Sequence, residues 1–162
     1  MRLEALIGEA LRKKGLTLGV AESCTGGLLS SAVTDVAGSS DYFKGAIVAY
    51  ANSIKRSLLG VKASTLSSFG AVSKETAREM SRGAQGALKA DISAAITGIA
   101  GPGGGTDKKP VGLVFIAISK GKRTTVKKFL FKGNRKSIKR QSAEAALKML
   151  AASLGVKAAS KN

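Results

Sequence analysis

Apolar residues recur at helical spacing from the start of the chain, and residues 2–13 read as an amphipathic helix that Gly15 ends. The apolar run Leu18-Gly19-Val20-Ala21 makes 17–21 a buried strand. Residues 25–36 return to helical spacing, with Leu28, Leu29, Ala32, Val33 and Val36 on one face, before a turn at Ala37-Gly38-Ser39-Ser40. Small and β-branched residues make 46–50 a strand, and Asn52 and Ser53 are cap-like ahead of a short helix to Leu59. A further short helix is expected at 64–69. Ser73 caps a longer one that carries Ala77, Met80, Ala84 and Leu88 at helical spacing. A strand at 92–97 runs into a glycine-rich loop at 98–109. Residues 111–119 and 124–131 read as a hairpin around Gly121. Residues 137–154 form the last helix, with Ala143, Ala146, Leu147, Leu150 and Ala151 inward, and 157–162 a frayed end.

Alternating strands and helices predict an α/β fold: one three-layer α/β/α sandwich over 1–156, its sheet mixed because of the late hairpin. The 162 residues suit one domain, and the apolar 44% supplies a core. No repeat or linker interrupts the pattern. No apolar run reaches the ~18–20 residues that span a bilayer, and the N-terminal helix, with Glu4 and Glu9, is unlike a signal peptide. A cytoplasmic protein with no membrane contact is expected. The single cysteine rules out an internal disulfide framework.

Charge adds a second theme. The net charge is +17, and residues 120–140 hold ten basic residues and no acid. Such a field attracts nucleic acid, phosphorylated metabolites or anionic lipid, or serves as a solvated surface. Five Phe, two Tyr and no Trp leave few stacking platforms, so nucleic acid is the less favoured partner.

The chemistry concentrates at Ala21-Glu22-Ser23-Cys24-Thr25-Gly26-Gly27, where a strand turns into a helix. Unpaired N–H groups at a helix start and two glycines suit a nucleophile beside an anion-stabilising pocket. The chain has no histidine, so Ser-His-Asp and Cys-His pairs are impossible. Lysine with a depressed pKa is the available base. An imidazole or multi-cysteine metal site is also excluded. An oxygen-ligand magnesium site stays open, with only ten acids to build it, and neither metal nor cofactor is expected. The loop Thr97-Gly98-Ile99-Ala100-Gly101-Pro102-Gly103-Gly104-Gly105-Thr106 follows a buried strand, where open α/β sheets bind ligands. It is neither a dinucleotide fingerprint nor a Walker A loop. It reads as a phosphate or oxyanion cradle or a flexible surface loop.

These blocks together resemble the C-terminal domain of the CinA (competence/damage-inducible) proteins, which also occurs as stand-alone nicotinamide-nucleotide amidases. The resemblance runs nearly end to end. It rests on residues 21–27, Gly38-Ser39-Ser40, Tyr42-Phe43, Val48-Ala49-Tyr50-Ala51-Asn52 with Lys55, and Gly70-Ala71-Val72-Ser73. It continues through 97–106, Lys109-Pro110-Val111-Gly112, Phe131-Lys132-Gly133-Asn134-Arg135 and Arg140. The resemblance implies hydrolysis of the carboxamide of nicotinamide mononucleotide to nicotinate mononucleotide and ammonia. It implies Ser23 as nucleophile, assisted by Lys55 and Tyr50. It also implies the stand-alone form and a homodimer.

Ser23 in the turn could have its oxyanion held by helix N–H groups. Lys55 needs its pKa lowered from ~10.4 toward ~7–8, by burial and a guanidinium from Arg135 or Arg140. Cys24 competes as nucleophile, but strand alternation lets only one of Ser23 and Cys24 face the site. Glu22 either bonds a ribose or structures the turn. Substrate binding is expected from Thr25, Gly26, Gly27, Gly98, Gly101, Gly104, Gly105, Thr106, Arg135 and Arg140. The chain departs from the family pattern at Ala46, where a second glycine is usual, and at Lys44, and in its cationic excess. A non-catalytic module binding a polyanion or a partner is the alternative function.

Overall fold

The structure, a computed structural model, describes residues 1–156, so the frayed end expected at 157–162 lies outside the described residues. The elements run α1 (Leu3–Lys14), β1 (Leu18–Glu22), α2 (Leu28–Thr34), β2 (Phe43–Val48), α3 (Asn52–Leu59), α4 (Ala63–Phe69), α5 (Lys74–Ala87), β3 (Ile92–Gly98), β4 (Leu113–Lys120), β5 (Arg123–Leu130) and α6 (Arg135–Ser153). A 3-10 turn at Ser39–Asp41 joins α2 to β2.

One five-stranded sheet has the order β2-β1-β3-β4-β5. β1 is parallel to β2 and β3, while β3, β4 and β5 pair antiparallel, so the sheet is mixed. Every residue of β1 is buried, as a central strand covered on both faces requires. Leu18 and Val20 join Ile7, Leu11, Leu29, Ile138 and Leu150 in the core under α1, α2 and α6. Ala21 and Ala95 meet Leu59, Met80 and Ala84 on the other face, under α3 and α5. The result is a three-layer α/β/α sandwich. The second interface is built from small residues and packs tightly. At Gly83 of α5, a Cβ would lie 1.8 Å from the carbonyl oxygen of Leu59 in α3.

Local signals behave as their chemistry predicts. Ser73 accepts a hydrogen bond from the N–H of Thr76 at the start of α5, and Asn134 caps α6 through the N–H of Ser137. Gly15 takes the left-handed conformation that ends α1. Several expected boundaries shift, and β2 begins at Phe43 rather than at 46. α2 starts at Leu28 rather than at 25, because residues 25–27 form a turn. β2 ends at Val48 rather than at 50, and the carbonyls of Ala49 and Tyr50 instead accept hydrogen bonds from Lys55. No helix among the described residues is long and apolar enough to cross a membrane.

Candidate active site

β1 and β3 end side by side, and the site lies just beyond their carboxyl ends. The N–H of Ser23 donates to the carbonyl of Ile96 at 3.0 Å, which fixes the residue at the tip of β1. Glu22, the last residue of β1, lies on the same strand face as Val20 and so points toward α2. It is fully buried. Its carboxylate accepts four hydrogen bonds: Thr25 Oγ1 at 2.7 Å, Leu29 N at 2.8 Å, Ser30 N at 3.0 Å and Ser30 Oγ at 2.9 Å. Glu22 therefore structures the turn and the start of α2, and a ribose has no claim on it.

The expectation that helix N–H groups face a ligand is corrected here, since the first helical N–H groups of α2 are taken by Glu22. The N–H groups still without a hydrogen bond among the described residues are those of Cys24, Thr25 and Gly27, in the turn itself. Gly26 and Gly27 sit at φ 61° and 105°, a conformation that favours glycine and lets the chain double back.

Lys55 comes from the first turns of α3. Its side chain passes under the end of β2 and is 1% exposed. Its Nζ lies 3.0 Å from Ser23 Oγ, 2.9 Å from the Ala49 carbonyl and 3.1 Å from the Tyr50 carbonyl. Burial lowers its pKa from the ordinary 10.5, and Cys24, when ionised, acts the other way. No guanidinium is needed for the shift, contrary to the sequence expectation. Ser23 is 8% exposed and opens to the cavity. Cys24 packs in the core under α2 and α6 and also borders the cavity. Burial raises its thiol to about 11, so it is protonated at neutral pH.

The cavity has a volume of about 280 Å³. Ser23, Lys55, Tyr50, Gly98, Gly101, Gly104 and Arg135 all line it, as do Asn52 and Thr97, which sequence reasoning did not select for a site. The sequence suggests Asn52 as a cap, but Ala51 holds the cap position of α3 and the Asn52 amide is free to face a ligand. Thr97 donates to the Ala71 carbonyl at 2.7 Å, which ties the α4–α5 loop to the cavity wall. Across the mouth, Arg135 donates to the Gly101 carbonyl at 2.7 Å and to the Tyr50 hydroxyl oxygen at 3.0 Å. Tyr50 is 60% exposed, and its recorded partner is Arg135 rather than Ser23.

The other expected substrate-binding residues fall outside the lining. Thr25 Oγ1 is committed to Glu22, and Gly26 and Gly27 form the turn behind Ser23. Gly105 packs on Val111, and Thr106 Oγ1 accepts the N–H of Lys109 within the loop. Arg140 opens onto a separate depression with Leu28, Lys136 and Lys139. Of the two departures from the family pattern, Lys44 and Ala46 are both exposed on β2 and neither lines the cavity. The loop N–H groups of Ala100, Gly101, Gly103 and Gly104 have no hydrogen bond among the described residues, and all four residues line the cavity.

Comparison with known proteins agrees with this architecture. A model of the CinA C-terminal domain matches residues 1–154. A putative competence-damage inducible protein of Moorella thermoacetica is 51% identical over 152 residues, which are 94% of this chain and 37% of that protein. A CinA-like protein of Endomicrobium trichonymphae is 49% identical over 91% of this chain and 35% of its own length. The chain thus spans little more than a third of these relatives. Among solved structures, a CinA superfamily protein from Klebsiella pneumoniae superposes with a TM-score of 0.91 at 34% identity, covering 94% of this chain and 96% of that one. A competence/damage inducible protein from Agrobacterium tumefaciens gives 0.87 at 40% identity, covering 94% and 95%. By sequence along nearly its whole described length and by fold, the chain belongs to the CinA C-terminal domain family.

Proposed function

We propose that the chain is an amidase that hydrolyses the carboxamide of nicotinamide mononucleotide, or of a closely similar phosphorylated amide, to the carboxylate and ammonia. The observation that carries this reading is the buried Lys55 amine 3.0 Å from Ser23 Oγ. A neutral lysine amine has two N–H donors and one lone pair. With both donors on the carbonyls of Ala49 and Tyr50, the lone pair is left for the Ser23 hydroxyl proton. The same three contacts hold the protonated amine, which then donates to all three oxygens. The site is therefore built to gain and lose one proton without rearranging.

The steps follow from that pair. Ser23 Oγ attacks the carboxamide carbon as Lys55 Nζ takes its proton. The tetrahedral oxyanion is held by the unpaired N–H of Cys24, the one unpaired N–H of this turn whose residue borders the cavity. Collapse breaks the C–N bond, Lys55 returns the proton to the departing nitrogen, and ammonia leaves. Water, deprotonated by Lys55, then cleaves the acyl ester and frees the carboxylate and Ser23. Tyr50, held by Arg135, positions the substrate at the mouth. Arg135 and the unpaired N–H groups of the glycine loop receive the phosphate.

The test is a pair of substitutions at the base. Lys55→Arg keeps a cation but cannot lose its proton near neutral pH. Both Lys55→Arg and Lys55→Met are expected to lower kcat by about 10²–10⁴-fold. Turnover retained by Lys55→Arg would overturn the assignment.

A further inference from the structure

The face of β5 turned toward α6 is cationic and concave. Arg123, Thr125 and Lys127 pair in register with Lys120, Ile118 and Ile116 of β4. Ile116 and Ile118 belong to the core under α6, so Arg123 and Lys127 share that face. Between β5 and α6 lies a groove of about 410 Å³ with Ile118 and Met149 on its floor and Lys120, Arg123 and Lys127 on its rim. A second depression of about 170 Å³ continues it past Phe129. No acid lines either depression, and among the described residues none of the three rim cations is ion-paired. Lys120 Nζ reaches the Ser153 carbonyl at the end of α6, which closes one end of the groove.

Lysine on an edge strand also blocks sheet-to-sheet aggregation. That role accounts for charge along β5. It does not account for the apolar floor or for Lys120, which projects from the inner neighbouring strand.

We infer that the β5–α6 groove binds single-stranded nucleic acid, its phosphates on Lys120, Arg123 and Lys127 and a base against the half-buried Phe129. Unpaired cations select a polyanion. A single strand can lay an unstacked base on the Phe129 ring, whereas a duplex keeps its bases within its own stack. Lys120 pairs with Ile92 at the start of β3, and Ser23 bonds Ile96 near its end. The groove is thus at the opposite end of the sheet from the cavity, and this inference does not rest on the amidase reading.

The test is fluorescence anisotropy of a labelled oligothymidylate titrated with the full chain at several salt concentrations. Three phosphate contacts predict a slope of log affinity against log salt of about −2. The triple variant Lys120→Gln, Arg123→Gln, Lys127→Gln should weaken binding by about tenfold or more and flatten that slope. Arg123→Gln with Lys127→Gln, which leaves the Lys120 contact at α6 intact, should lose most of the same affinity. Thermal melting of each variant confirms that the fold is kept. Lys62→Gln with Lys74→Gln removes two exposed cations elsewhere and should leave binding unchanged. Binding that survives both groove variants would overturn the inference. So would duplex binding as tight as the single strand, or equal competition by polyglutamate.

Discussion

Ser23 and Lys55 are 32 residues apart in the chain and 3.0 Å apart in space. Everything proposed for catalysis passes through that contact. Because burial lowers the Lys55 pKa, the neutral base is populated at lower pH than for a surface lysine. The expected kcat/KM profile rises with pH and levels off at an inflection below 10.5. An inflection at the ordinary lysine value would contradict a buried base. The same shift has a stability consequence. Between the lowered folded pKa and the ordinary unfolded one, the unfolded chain binds more protons, so stability rises with pH across that window. Lys55→Met removes this rise, and urea titrations at a series of pH values read it directly. Cys24 makes the contrasting case. Its thiol, raised to about 11, is inert at neutral pH, so Cys24→Ala should leave kcat within about threefold of the parent chain. Glu22 acts on structure. Glu22→Gln turns one acceptor oxygen into a donor facing the N–H groups of α2 and should cost about 1–3 kcal/mol by chemical denaturation.

Elements were more legible than their ends. The hydrophobic pattern located every strand and helix, because burial imposes a period of two on strands and 3.6 on helices. The ends were set by polar contacts that no local pattern encodes. α2 waits until Leu28 because a buried carboxylate organises the turn before it, and β2 stops at Val48 because Lys55 claims the next two carbonyls. Strand alternation held the answer for Glu22, which shares the face of Leu18 and Val20. It stops there, because Ser23 and Cys24 lie past the end of β1 and both border the cavity, Ser23 Oγ meeting Lys55 while Cys24 also packs in the core. Helix geometry likewise separates Arg135 from Arg140. Five residues on a helix turn the side chain well away from the first, and only Arg135 lines the cavity. The Ser23–Lys55 pair itself was visible only through family resemblance, since nothing local connects α3 to the end of β1. The α3–α5 crossing gives an element-scale prediction. Gly83→Ala places a Cβ 1.8 Å from the Leu59 carbonyl and should destabilise the fold by about 1–3 kcal/mol. It should also depress kcat, because α3 carries Lys55.

At the scale of the molecule, fold and charge divide the work. The sheet brings the ends of β1 and β3 together under a glycine loop, the position where open α/β sheets bind ligands. The net charge of +17 surrounds that site with a field that draws anions inward. For the phosphorylated amide, whose net charge is negative, kcat/KM should therefore fall as salt is raised from low to physiological strength, while the dephosphorylated riboside, a pyridinium cation, should show the opposite trend. The most direct test of the central proposal is ammonia release from nicotinamide mononucleotide by the parent chain beside Ser23→Ala, with a chelator present. The account predicts release by the parent chain and a loss of about 10⁴-fold or more in the variant. Release by both, or by neither, would contradict it.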